Sequence, residues 1–200
     1  MMATVLDDFY YTGSAFKPGC MRVGPIENFD HFALARAEWT PPGILHFKHD
    51  AGTKPCDFID TGFASLYLVS QRVVDLLGEH GLTGWRTFKV SVTDRQKRKA
   101  PFIHGFQVHG RCGPIDTSKS PRFVELGVNR VSKFLMQRGW VFDLDTWDGS
   151  DIFVPERMDE KICGHYFVTQ RLKDIFEKAK VSNVSFKRIT EFAVTLHKIE

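Results

Sequence analysis

The chain repeats itself, and the repeat limits what it can fold into more than any other feature. Tyr67 matches Tyr166, Val69 matches Val168, Gln71-Arg72 matches Gln170-Arg171, and Asp75 matches Asp174. Leu76 and Leu77 are answered by Ile175 and Phe176, and Ser70 by Thr169, both good helix caps. A turn follows each time, Leu82-Thr-Gly-Trp85 against Val181-Ser-Asn-Val184, and then a strand-like run. Self-similarity over whole elements marks one supersecondary unit used twice.

The physics of each unit is readable. Leu66 to Val69 is a short extended run, and Ser70 can accept a hydrogen bond from first-turn amides and so start a helix. Val73, Leu76 and Leu77 then share a helical face, with Val74 at its margin. Gly81 stands where a left-handed residue ends a helix. The second unit repeats this with Thr169, Leu172, Ile175, Phe176 and Ala179, with Lys180 at the stop and Asn183 in place of Gly84. Burying three large apolar side chains contributes about 5–9 kcal/mol. Fixing some ten helical residues costs about 10–20 kcal/mol of backbone entropy. Neither helix stands alone, so each stripe must pack on a sheet. Trp85, Phe88 and Val90, and in the second unit Val184, Phe186 and Ile189, are the candidates to build it.

The expected fold is therefore α+β. Residues 1–200 form a single domain in which two related strand–helix–strand units, 66–92 and 165–190, pack on mixed or antiparallel sheet. Residues 1–54 read as strands and loops on the same core, with aromatics at Phe29, Phe32, Trp39 and Phe47 and a firm turn at Pro41-Pro42-Gly43. Phe102 to Gly110 alternates like a strand, and Val131 to Arg138 reads as a short helix closed by Gly139. No linker is long enough to separate domains. An apolar fraction of 42% with 18 Phe is ample for such a core.

Composition also removes function classes. A net charge of +3 and a pI near 8.7 are too mild for nucleic-acid binding, and the basic run from Arg95 to Lys99 reads as a solvated loop between strands. No apolar run reaches the ~20 residues that span a bilayer. Asp7 and Asp8 sit where a signal peptide would carry cations, so the expected location is the cytoplasm. Cys20, Cys56, Cys112 and Cys163 are scattered without a C-x-x-C pair, and in a cytosolic chain they are expected as free thiols.

Few residues group as catalysts or ligands. Asp143, Asp145, Asp148 and Asp151 resemble a calcium loop only superficially, because the third Asp arrives one residue late and no Glu follows at the twelfth position. His46 with His49, and His104 with His109, lack zinc spacing, so neither metal nor cofactor is expected. Cys112 near His109 could form a thiol catalyst, but proximity in sequence is all that supports it. The Gly-containing stretch 105–113 has neither a phosphate-loop nor a dinucleotide pattern.

The repeat carries a resemblance. Leu68-Val-Ser-Gln-Arg72 with Leu82-Thr-Gly-Trp85, the run Trp147-Asp-Gly-Ser-Asp-Ile-Phe153, and Phe167-Val-Thr-Gln-Arg171 with Val184-Ser-Phe186 are similar to the eleventh-numbered family of bacterial polymorphic-toxin immunity proteins, over residues 55–195. That resemblance implies a cytoplasmic, non-enzymatic protein that sequesters a cognate toxin or effector. The toxin is often a nuclease delivered between competing bacteria, and it is encoded nearby. It implies no catalytic residues. Nuclease inhibitors are often strongly acidic, whereas this chain is slightly basic. A local acidic patch or cover of an exosite is then required. The alternatives are a small-molecule-binding or enzymatic domain using the His104–Cys112 region, and a structural subunit of a larger bacterial assembly. Oligomeric state stays open.

The expected partner-binding patch is the acidic loop Asp143, Asp145, Trp147, Asp148 and Asp151. Four carboxylates in nine residues make an ordinary solvated loop, but an aromatic ringed by charge is also a common anchor at interfaces.

Overall fold

The computed structural model describes residues 5–63, 66–127, 132–156 and 166–199. Three sheets and three helices are built from them. The largest sheet runs, in spatial order, β6 (Trp85–Phe88), β9 (Ile103–Val108), β5 (Tyr67–Ser70), β4 (Phe58–Asp60), β2 (Arg22–Pro25), β3 (Leu45–Ala51), β7 (Val90–Thr93) and β8 (Lys99–Ala100). The second runs β10 (Gly110–Cys112), β13 (Ile152–Pro155), β14 (Tyr166–Thr169), β1 (Phe9–Ser14) and β15 (Val184–Arg188). The third is β11 (Arg122–Leu126), β12 (Lys133–Arg138) and β16 (Ala193–Ile199). Pairing within the sheets is antiparallel except for β2 with β4, β3 with β7, and β10 with β13. The helices are α1 (His31–Ala35), α2 (Gln71–Glu79) and α3 (Gln170–Lys178). No helix of the described residues is long and apolar enough to cross a membrane.

The two similar segments take the same elements. Ser70 and Thr169 sit in extended backbone and accept from the amides of Val73 and Leu172, so the same cap opens two nine-residue helices. Val73 and Leu77 of α2, and Leu172 and Phe176 of α3, turn into the core. Gly81 and Lys180 both take positive φ after the helix, and Gly84 and Asn183 do so in the following turn. A Cβ on Gly84 would lie 2.0 Å from the carbonyl oxygen of Ile152, so glycine is required there.

The parallel extends to strands that the sequence comparison did not reach. In the largest sheet the local order is β4-β5-β9-β6, and in the second it is β13-β14-β1-β15. Registers agree: Val69 lies opposite His104 where Val168 lies opposite Tyr10, and Trp85 lies opposite Val108 where Val184 lies opposite Ser14. The bridging strand follows the helix in the first unit but is supplied by the chain's own beginning, β1, in the second.

Alternation along β14 splits two cores. Tyr166 and Val168 face a main cluster shared by both units, with Tyr67, Val73, Leu77, Phe106 and Phe176. Phe167 faces a smaller cluster with Phe9, Trp140, Phe142, Phe153 and Ile189. Helices of both units thus close over one core, and the chain is one domain of mixed α+β class.

Two expectations are corrected. Residues 133–138 form the central strand of the third sheet rather than a helix, because β12 finds partners on both edges, β11 and β16, which a helix could not satisfy. Residue 131 lies outside the described residues. Cys20 and Cys56 form a disulfide, their Cα atoms 5.8 Å apart. The amides of Thr53 and Lys54 bond the carbonyl of Gly19, and Met21 bonds that of Lys54, so the two segments run side by side. Cys112 is free and buried, and Cys163 lies outside the described residues.

Candidate functional site

The Ser/Thr-Gln-Arg motif that opens each helix is spent on joining the two units. Asp57 accepts from the Ser70 hydroxyl at 2.8 Å and from Nη1 of Arg72 at 2.8 Å, both in the first unit. It also accepts from the amide and hydroxyl of Ser182, at 2.8 and 2.9 Å, in the turn after α3. Asp151 mirrors it. It accepts from Thr169 at 3.1 Å and Arg171 at 3.2 Å in the second unit, and from the Thr83 amide at 3.0 Å in the turn after α2. Arg72 reaches on to the carbonyl of Ala179 at the end of α3, and Arg171 to that of His80 at the end of α2. Each arginine therefore caps the helix of the other unit, where a cation complements the negative end of the dipole. The glutamines do a second job. Gln71 donates to Asp75 and Gln170 to Asp174, while His104 bonds Gln71 and Tyr10 donates to Gln170.

Electrostatics at Asp57 follow from this. Burial alone would raise its pKa, but bonds from Ser182, Ser70 and Arg72 outweigh that and hold the carboxyl below its usual value.

The acidic loop is divided by the fold. Asp151 is only 6% exposed and belongs to the clasp just described. Trp147 is half-buried, stacked edge-on against Phe9 at 4.9 Å and close to Phe153 at 5.7 Å, with its indole N–H donating to the Ser150 carbonyl. Asp148 is exposed, yet it accepts from the amides of Arg111 and Ser150 and so pins the loop to β10. Asp143 caps the short 3-10 turn Leu144–Thr146. Asp143 and Asp145 are the carboxylates that the loop presents to solvent with least structural work to do.

In the His104–Cys112 region the fold takes up His104 and buries Cys112, while the buried Nε2 of His109 finds no hydrogen-bond partner among the described residues. His104 bonds Gln71 at 2.7 Å. Burial, then Asp148 and Glu156, push the Cys112 thiol up to about 12, so it stays protonated and is a poor nucleophile. Burial, helped by Arg86 and Arg111, holds His109 below its ordinary value as the neutral base. Among the described residues no three His, Cys, Asp or Glu side chains gather as a metal-holding group.

A groove of about 790 Å³ lies between the turn joining β7 to β8 and the start of α2. Met21, Pro55, Ile59 and Ile103 give it apolar walls, and Arg95, Arg98 and Lys99 stand along it. Phe102 stands beside them, 75% exposed and at φ +60°. The sequence alone reads the basic run as a solvated loop between strands. The signal available was Phe102, an aromatic next to four cations in five positions.

Residues 12–191 match the family profile described as "Immunity protein family (Imm11)". No curated protein matches the chain.

Proposed function

The chain belongs to the immunity protein family Imm11, and from that premise we propose that it binds a cognate bacterial toxin and holds it inactive by occupying its surface, without chemistry of its own. The family match over residues 12–191 carries the reading. The fold is consistent with it. The motif residues lock two units into one body, and rigid scaffolds lose little entropy on binding. The toxin, with nuclease effectors among the candidates, is a protein encoded beside this chain, and the chain meets it in the cytoplasm of the producing cell. Asp143 and Asp145 give a negative edge that would speed encounter with a basic toxin face.

The test is co-expression. The toxin domain from the neighbouring gene should arrest growth alone, and this chain should restore it and co-elute with the toxin as a stoichiometric complex. Growth arrest that persists although the chain is expressed and folded would refute the reading.

A further inference from the structure

Within the immunity reading, on which this inference rests, we infer that the groove between the β7–β8 turn and α2 receives an acidic segment of the toxin carrying an apolar or aromatic anchor.

The groove is made by what the two units do not share. Both have the strand, helix and following strand, but only after β6 does the chain add β7 and β8, the tight turn from Asp94 to Arg98, and the return through Pro101 and Phe102 to β9. The lining joins Ser70, Gln71 and Arg72 of the shared parts, Arg95, Lys99 and Phe102 of the addition, and Met21, Pro55 and Ile59 from segments that precede β5.

The wall is expensive for a free chain. Phe102 holds a left-handed backbone, which costs a non-glycine residue about 1–2 kcal/mol. It is fixed there because its carbonyl accepts the Gln71 amide at 2.8 Å. Its ring is then left three-quarters exposed. The bond to the first amide of α2 offsets the backbone strain, but it leaves the aromatic ring facing water with nothing covering it.

Charge selects the occupant. Among the described residues Asp94 is the only carboxylate lining the groove, and it is paired with Arg98 at 2.8 Å. Arg72 is paired with Asp57. Among the described residues no carboxylate pairs with Arg95, Lys97 or Lys99, which stand along or beside the opening. An apolar trough with unpaired cations at its lip fits carboxylates flanking an apolar side chain. A basic segment would meet like charge.

The experiment uses the full chain and the toxin domain from the neighbouring gene, with affinity measured calorimetrically at low and high salt. Phe102→Ala is expected to weaken binding about 30-fold or more. Arg95→Glu with Lys99→Glu is expected to weaken it at least about tenfold and to flatten its salt dependence. Both charged positions are exposed and outside the clasp, so the double variant should keep the wild-type melting temperature even if Phe102→Ala does not. Wild-type affinity in the folded double variant overturns the groove assignment and leaves the immunity reading standing. No binding by the wild-type chain overturns both. Self-association abolished by Phe102→Ala would assign the groove to a second copy. A small carboxylate that co-purifies with the wild type and is lost in the variant would assign it to that ligand. Either result overturns the proposal.

Discussion

Asp57 shows how much a single side chain can do here. It ties a strand, a helix cap, an arginine and the turn of the other unit together. Its pKa lies below the unfolded value, so folding favours the charged form. The stability it supplies is therefore complete above the unfolded value, near 3.9, and is lost as pH falls through the lower folded one. Asp57→Asn should cost about 1.5–3 kcal/mol at neutral pH and flatten the acid limb of a urea-unfolding series taken against pH. An unchanged acid limb would show that Asp57 is not the group responsible. Trp147→Ala should cost about 2–4 kcal/mol in the same assay, since a half-buried ring leaves a smaller hole than a fully buried one. Asp143→Asn with Asp145→Asn should leave stability unchanged and reduce the association rate with the toxin. The composition of this loop was legible as acidic, but the fate of Asp151 was not. Its partners Arg171 and Thr83 lie 20 and 68 residues away, and no local pattern announces them.

At the scale of elements, what depends on near neighbours was readable. The caps at Ser70 and Thr169, the buried stripes of α2 and α3, and the left-handed stop at Gly81 all follow from spacing within a few residues. Ser70→Ala or Thr169→Ala should each cost about 1 kcal/mol by denaturant titration. Gly84→Ala should cost more than either, because the new methyl meets backbone rather than a movable side chain. What depends on distant pairing was not readable. Residues 133–138 have adequate helix propensity, and only the flanking strands β11 and β16 decide for a strand. β1 completes the second unit from the far end of the chain, so a comparison of contiguous segments could not find it. The same holds for the groove, where Phe102 and Met21 line one concavity although they lie far apart in the chain.

At the scale of the whole molecule, stability rests on the main core that both units share, the smaller core around Phe167, the two carboxylate clasps and the Cys20–Cys56 bridge. That bridge closes a span of 36 residues, and opening it should cost about 2–4 kcal/mol. Comparing melting with and without reductant measures this. Two units joined this way suit a partner that binds and stays bound. The central claim is that neutralisation is stoichiometric rather than catalytic. The direct measurement is residual toxin activity at fixed toxin and rising amounts of this chain, read at several incubation times. Activity should fall linearly to zero at a fixed whole-number ratio of chain to toxin and should not change with time. Progressive loss of toxin activity at a small fraction of one equivalent would mean turnover, and would contradict the account.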